Sequence, residues 1–289
     1  MESVLVLIAA PGSGAIGPKL AARLAAHGSG SPRWLAEGEA LEVPAFAGME
    51  DFLAEIGQLP IDANLVPPEN RRKRLLIADM DSTMIQQECI DELGVEAGIG
   101  EHIKEITARA MRGELNFEGA LKERVKLLKG LSAGIIGKIL RERISFMPGG
   151  RTLIATMKAH GAYSALVSGG FTPFTGSVAA ALGFDEHQAN ELIIAEGLLT
   201  GEVGYPILGQ QAKLDALRRI SARLGIATAD ALAVGDGAND LAMLGEAGMG
   251  VALHAKPQVQ AAARFRVNHG DLTALLFLQG YEKAEFVHA

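Results

Sequence analysis

Three features of the sequence predict an α/β fold: a doubly wound parallel-sheet, Rossmann-like core with an inserted helical cap, preceded by a small α+β domain. The first is a set of short apolar runs, LLIA (75–78), YSALV (163–167) and ALAV (231–234), each followed by aspartate, serine or glycine. Runs of that length bounded by turn signals read as strands buried on both faces, as in parallel sheets covered by helices. The second is the long helical stretch between the first two runs, roughly 88–146, where ITARAMRGELNF and EGALKERVKLLKGL carry amphipathic spacing. It exceeds a normal crossover and predicts a cap. The third is VPPENRRKR (66–74), whose two prolines and basic run suit an exposed linker and divide the chain into residues 1–70 and 71–289.

Ahead of the linker, Val4–Ala9 predicts a strand, Pro18–Ala26 a helix, Trp34–Val43 a second strand, Met49–Ile56 a second helix and Asp62–Leu65 a third strand. Between the first strand and helix, Gly12-Ser13-Gly14-Ala15-Ile16-Gly17 matches G-x-G-x-x-G, with Glu37 and Glu39 about twenty residues on. That is nominally a dinucleotide fingerprint. The segment is too short for two mononucleotide-binding halves, Pro11 and Pro18 crowd the turn, and no GK[ST] follows, so cofactor binding there is rejected. After the linker, NELIIAEGLLTGEVGYPIL (190–208) predicts a strand pair turning at Gly201, and Lys213 opens a helix.

With 289 residues, 48% apolar and 21% charged, the chain can bury one large core plus an appendage. A net charge of −7 argues against a nucleic-acid partner, and an anionic substrate would need local cations or a metal. The one cysteine, Cys89, precludes an intramolecular disulfide and fits a reducing cytoplasm. No Cys/His pattern surrounds it, so it reads as a small apolar filler. The acidic Glu2 makes the N-terminus a poor signal peptide, and no apolar run is long enough to span a bilayer. A cytoplasmic protein without a membrane partner is expected.

The chemistry concentrates just beyond the predicted strands. DMDSTMI (79–85) follows the first run, Ser168-Gly169-Gly170 the second, and Asp236 in GDGAND the third. Ligands of open parallel sheets bind beyond the carboxyl ends of the strands, so three strands deliver polar groups to one edge. A lone D-x-D reads as a turn or a loose metal site; the ordered set does not. Asp79 and Asp236 are hard oxygen ligands suited to Mg²⁺ held with a substrate phosphate oxygen. With a cation present, Asp79 can attack phosphorus and form an aspartyl phosphate. Asp81, its pKa raised by nearby carboxylates, would protonate the leaving alkoxide and then deprotonate water. Lys213, Ser168 and the glycine turn would neutralise and orient the phosphoryl oxygens.

DMDSTMI, the SGGF turn, Lys213 and GDGAND resemble the four motifs of the haloacid dehalogenase-like superfamily of phosphohydrolases. QQECIDELG (86–94), AMRGELNFEGALKERVKLLKGL (110–131), MPGGRTL (147–153), ANELIIAEGLLTGEV (189–203) and HAKP (254–257) are similar to its phosphoserine phosphatase family. The resemblance covers roughly residues 71–280. It implies Asp79 as nucleophile, Asp81 as acid/base, and Mg²⁺ held by Asp79, the Asp81 carbonyl and Asp236, with Asp240 supporting the metal. It implies Ser168, Gly169, Lys213 and Asn239 as phosphate or substrate contacts. It sets Glu88 against a substrate ammonium, Arg124 against a carboxylate, and Met111 and Phe117 as an apolar wall. The implied reaction is hydrolysis of O-phospho-L-serine, the last step of serine biosynthesis. Lys256 reads as structural or peripheral. Residues 1–70 resemble a shortened ACT regulatory fold.

Two other functions compete. A phosphotransferase would pass the phosphoryl group to an alcohol such as homoserine instead of water. A regulatory role would have residues 1–70 bind an amino acid or mediate a homodimer, and this is compatible with catalysis.

Overall fold

The computed structural model describes residues 3–27 and 31–288, apart from the side chain of Met111. The chain begins with β1 (Val4–Ala9), α1 (Pro18–Ala26), β2 (Arg33–Ala36), β3 (Ala40–Pro44), α2 (Met49–Ile56) and β4 (Ile61–Val66). The four strands form an antiparallel sheet in the order β2-β3-β1-β4. This is the ferredoxin-like βαββαβ arrangement, complete rather than shortened. The single strand expected over Trp34–Val43 is a hairpin, with Trp34 opposite Leu41 and Ala36 opposite Ala40. Gly38, at φ +74°, makes the turn, which the apolar residues on both sides of it mask in the sequence.

The uninterrupted apolar run of β1 has a physical cause. Leu5 and Leu7 face α1 and α2, packing with Leu20, Leu24, Phe52 and Ile56. Val6 and Ile8 point the other way, into an apolar cluster shared with Leu76, Ala78, Leu232 and Val234. The strand is therefore buried on both faces. The glycine-rich loop lies in an antiparallel setting with no parallel-sheet crevice, and Glu39 is buried against Lys283.

The second sheet comprises β5 (Leu75–Ala78), β6 (Tyr163–Phe171), β7 (Glu186–Asn190), β10 (Ala231–Gly235), β11 (Met249–Leu253) and β12 (Phe265–Val267). All its pairings are parallel, in the order β12-β11-β10-β5-β6-β7. Leu76, Ala78, Leu232 and Val234 face α7 (Gly150–Ala159), α8 (Thr172–Leu182) and α12 (Ala274–Leu278). Leu75, Ile77, Ala231 and Ala233 face α9 (Gln210–Leu224), α10 (Leu241–Glu246) and α11 (Pro257–Ala262). No helix among the described residues is long and apolar enough to cross a membrane.

The cap is α3 (Cys89–Glu96), α4 (Gly100–Met111), α5 (Phe117–Lys126) and α6 (Gly134–Glu142). Beside it stands a hairpin of β8 (Leu192–Ala195) and β9 (Leu198–Val203). Its turn is at Glu196-Gly197, both at positive φ as a tight hairpin turn requires, and not at Gly201. Gly201 serves a close approach instead: a Cβ there would lie 2.9 Å from that of Lys129 in the cap. Main-chain bonds tie the two together, Gly130 N–H to Leu199 O, Leu199 N–H to Leu131 O and Ala133 N–H to Gly197 O, each 2.8 Å.

The basic run after β4 is only partly exposed: Arg72 and Arg74 are open to solvent, whereas Arg71 and Lys73 are docked. Lys73 donates to the carbonyls of Asn70 and Ala229 at 2.6 and 2.8 Å, and Arg71 to Glu42 at 2.8 Å and the Leu278 carbonyl at 3.1 Å. Main-chain carbonyls seek donors, and these long side chains supply them. The two sheets are joined further by Asp62, whose carboxylate accepts the N–H groups of Asn268, His269 and Gly270 at 2.7 to 2.9 Å. Asn64 pairs both ways with the Arg266 main chain, covering the edge of β12.

Asp62→Ala strands those N–H groups and should cost about 3 kcal/mol in urea denaturation. The exposed Glu101→Ala is the control, expected to leave the midpoint where it is. Equal midpoints for the two variants would contradict the clamp.

Candidate active site

β5, β6 and β10 end at one edge of the sheet, and each passes a polar group to it. The ladder continues one residue past β5, where the Asp79 N–H donates to Val234 O at 3.0 Å, so the Asp79 backbone is fixed by the sheet itself. Its carboxylate Oδ1 accepts the Met80 N–H at 2.8 Å and stands 2.7 Å from the Lys213 ammonium. Oδ2 has no protein donor among the described residues, and Asp79 lines a cavity of about 330 Å³.

After Asp79 the chain coils. The N–H groups of Thr83, Met84 and Ile85 all turn back to Met80 O, and Ser82 takes φ +54°. This turn presents Asp81 to the cavity as well. Asp81 Oδ1 accepts the Cys89 N–H at 2.9 Å, at the start of α3, and Oδ2 accepts the Ser168 hydroxyl at 3.3 Å. Burial raises the Asp81 carboxyl, while these hydrogen bonds and the Lys213 charge pull it back. The direction is the one expected from sequence, but the cause is desolvation rather than neighbouring carboxylates. Cys89 is buried, and burial followed by the Asp81 charge pushes its thiol well up, as a filler rather than a nucleophile.

Ser168 Oγ also accepts the Gly170 N–H at 2.9 Å, closing the turn after β6. A Cβ at Gly170 would sit 2.8 Å from Asp81 Oδ2, and one at Gly169 would sit 3.0 Å from the Phe117 ring. Asn190, unnoticed in the sequence, holds this turn: it donates to Gly169 O and Leu208 O and accepts the Leu208 N–H. An asparagine at a strand end carries no signal of which loops it bridges.

Lys213 is not the solvated lysine a helix start usually offers. It is 1% exposed, with its ammonium 2.7 Å from Asp79 Oδ1 and 2.6 Å from Asp240 Oδ1. Burial works against the charge, yet Asp79 and Asp240 outweigh it and the pKa is raised. Asp240 is fully buried, and its Oδ2 accepts the Gly237 N–H at 3.0 Å. A Cβ at Gly235 would overlap the Asp240 carboxylate, so the first glycine of GDGAND is required by contact.

Oxygen atoms of Asp79, Asp236 and Asp240 lie within 4.8 Å of one another, close enough to share a cation. Burial and the Asp240 charge push Asp79 well above the usual carboxylate range, against Lys213. Burial and Asp240 raise Asp236 too, with Lys256 pulling it back. Three carboxylates against one buried ammonium are under-compensated, and all-oxygen donors fit a hard divalent metal.

The cap supplies the opposite wall. Glu88, just before α3, is exposed as a whole residue but accepts the Ser82 hydroxyl at 2.7 Å, and partial desolvation at the cavity wall followed by the Asp81 charge pushes its carboxyl up. Arg124 projects from α5 with Nε on Ala120 O at 3.2 Å, and no carboxylate lies within ion-pair distance of it among the described residues. Phe117, Ser168, Gly169, Asp236 and Asn239 line the same cavity. Lys213 and Asp240 stand behind its wall, and the Met111 side chain lies outside the described residues. Lys256, read as structural or peripheral, lines the cavity too. Its motif was visible, but not the direction the loop takes.

Comparison with known proteins agrees with this architecture. The haloacid dehalogenase-like hydrolase family model matches residues 76–245. A phosphoserine phosphatase of Streptomyces coelicolor is 44% identical over 233 residues, spanning 80% of this chain and 57% of that protein. A solved structure of a probable phosphoserine phosphatase from Vibrio cholerae superposes with a TM-score of 0.81 at 32% identity, covering 98% of this chain and 88% of that one. A phosphoserine phosphatase solved as a phospho-aspartyl intermediate analogue superposes with a TM-score of 0.66 at 40% identity, covering 71% of this chain and 98% of that one. The chain belongs to the haloacid dehalogenase-like hydrolases.

Proposed function

We propose that this protein hydrolyses O-phospho-L-serine to L-serine and phosphate, with Mg²⁺ as its metal. One observation carries the reading: a single cavity has Asp79 and Asp81 at the sheet edge and, on the cap side, an unpaired Arg124 beside Glu88. A phosphorylated amino acid presents a phosphate, a carboxylate and an ammonium. Arg124 suits the carboxylate and Glu88 the ammonium. The relatives are phosphoserine phosphatases, one of them captured as a phospho-aspartyl analogue.

In this reading the unencumbered Oδ2 of Asp79 attacks phosphorus, and the serine oxygen leaves with the proton of Asp81. Asp81 then takes a proton from water, whose oxygen attacks the aspartyl phosphate, releasing phosphate and restoring Asp79. Ser168 holds Asp81 in line and takes the Gly170 N–H, and the main-chain N–H of Gly169 would face the phosphoryl oxygens. Lys213 offsets part of the burial that favours the neutral form of Asp79. Asp79, Asp236 and the Asp81 carbonyl would hold the metal, with Asp240 bracing them through Lys213 and the Gly237 N–H. When bound, Mg²⁺ supplies positive charge to the phosphoryl oxygens. Residues 71–289 act as the catalytic unit and residues 1–70 as an ACT-like accessory unit, in a cytoplasmic enzyme.

Arg124→Ala should lower kcat/KM for phosphoserine on the order of 100-fold and leave a simple aryl phosphate within about threefold. Equal losses on both substrates would remove the carboxylate role, and equal wild-type efficiency on both would remove the substrate assignment. A second expectation follows from the raised carboxyls. Asp79 and Asp236 titrate higher in the folded state than unfolded. Their ionisation therefore costs stability, a cost absent below the unfolded carboxylate range and growing as pH rises through it. At neutral pH, saturating Mg²⁺ should raise Tm by about 5 °C over protein in EDTA. Asp236→Asn should suppress most of that rise, and an unchanged rise would exclude Asp236 as a ligand.

A further inference from the structure

The cavity wall carries the carboxylates of Asp79, Asp81, Glu88, Asp91 and Asp236, but only two cations, Arg124 and Lys256. Lys213 does not add to them, since its ammonium is already shared by Asp79 and Asp240 behind the wall. Arg124 belongs to the cap side. A phosphate dianion approaching the sheet edge, on a chain of net charge −7, is therefore attracted on that side only by a metal held among the aspartates and by a free side-chain cation.

Lys256 is placed to be that cation. Its N–H reaches Asp236 O at 3.4 Å, which roots it beside GDGAND, and its ammonium has no carboxylate within ion-pair distance among the described residues. The root is held from both sides. Downstream, the Lys256 carbonyl accepts the N–H groups of Val259 and Gln260 at 2.9 and 3.0 Å, opening α11. Upstream, His254, at φ +44°, donates its N–H to Val267 O at 2.8 Å, and its Nε2 lies 2.8 Å from Gly270 O. Gly270 is itself one of the residues clamped by Asp62 of the first sheet. A flexible side chain thus springs from a backbone fixed by three elements.

We propose that Lys256 is a further substrate-binding residue, the cation that draws the phosphate group of the substrate to the sheet edge. The proposal rests on the phosphate-ester reading above but not on the identity of the leaving group. It differs from the role of Arg124, which acts on one end of one substrate. Lys256 serves any phosphate ester, and inorganic phosphate as well.

The test compares Lys256→Met and Lys256→Arg with the wild type, all with Mg²⁺, on phosphoserine and on an aryl phosphate at low and high ionic strength. Inorganic phosphate is titrated as an inhibitor. Lys256→Met should lower kcat/KM on the order of 10-fold on both substrates through KM, and raise the phosphate inhibition constant in proportion. The deficit should shrink to about threefold at high salt, where screening removes the field the wild type exploits. Lys256→Arg should remain within about threefold of wild type. Unchanged KM and phosphate inhibition in Lys256→Met, a loss confined to kcat, or an arginine variant no better than methionine would each overturn the proposal. If the wild type shows no preference for phosphoserine, the substrate assignment falls while the Lys256 comparison is still read on the aryl phosphate.

Discussion

The structure turns on one buried ion cluster, the Lys213 ammonium between Asp79 and Asp240. Lys213 comes from α9, Asp79 from the end of β5 and Asp240 from the turn after β10, so one ammonium fixes three segments that share no local sequence. Taking these charges out of water is costly, and a buried pair often gains little stability over an apolar substitute. The cluster is better understood as a constraint on position. It holds Asp79 Oδ1 and leaves Oδ2 to the cavity, and it keeps more negative charge than one lysine can balance. That residual charge is what makes the site receptive to a divalent cation.

Close contact then links the site to the elements above it. Gly169 and Gly209 both lie under the Phe117 ring, where a Cβ would come within 3.0 and 3.1 Å. The cap thus rests on the turn after β6 and on the start of α9 without intervening side chains. Cys89 contributes its N–H to Asp81, so the start of α3 helps orient that carboxylate. On the opposite side, the first sheet reaches the rim of the site through Asp62, Gly270 and His254. With Val6, Ile8 and Val66 in the common core, residues 1–70 brace the catalytic sheet as well as preceding it.

Much of this was legible in the sequence, for identifiable reasons. LLIA, YSALV and ALAV are apolar at every position because both faces of the parallel sheet are covered, and the residues that follow them are polar because the strands end at a site. Glu88, Phe117 and Arg124 could be named only by resemblance, since nothing local distinguishes a cavity-facing charge on a cap helix from a solvated one. The burial of Lys213 was hidden because both partners lie in distant segments. The hairpin at Gly38 was missed because apolar strands on both sides of it read as one, and the turn at Glu196-Gly197 was misplaced because Gly201, three residues on from Leu198, offered an equal signal. The basic run of 71–74 reads as solvated by composition, which holds for Arg72 and Arg74, whereas Arg71 finds Glu42 of β3 and the Leu278 carbonyl, and Lys73 the carbonyls of Asn70 and Ala229.

The central claim is that Asp79 carries the phosphoryl group, and trapping that group tests it most directly. Enzyme mixed with Mg²⁺ and radiolabelled phosphoserine, then quenched in acid, should hold label in a hydroxylamine-sensitive bond on the peptide containing Asp79. Asp81→Asn, impaired in activating water, should retain that label longer. Turnover without a covalent label in either protein, or label on another residue, would contradict the account.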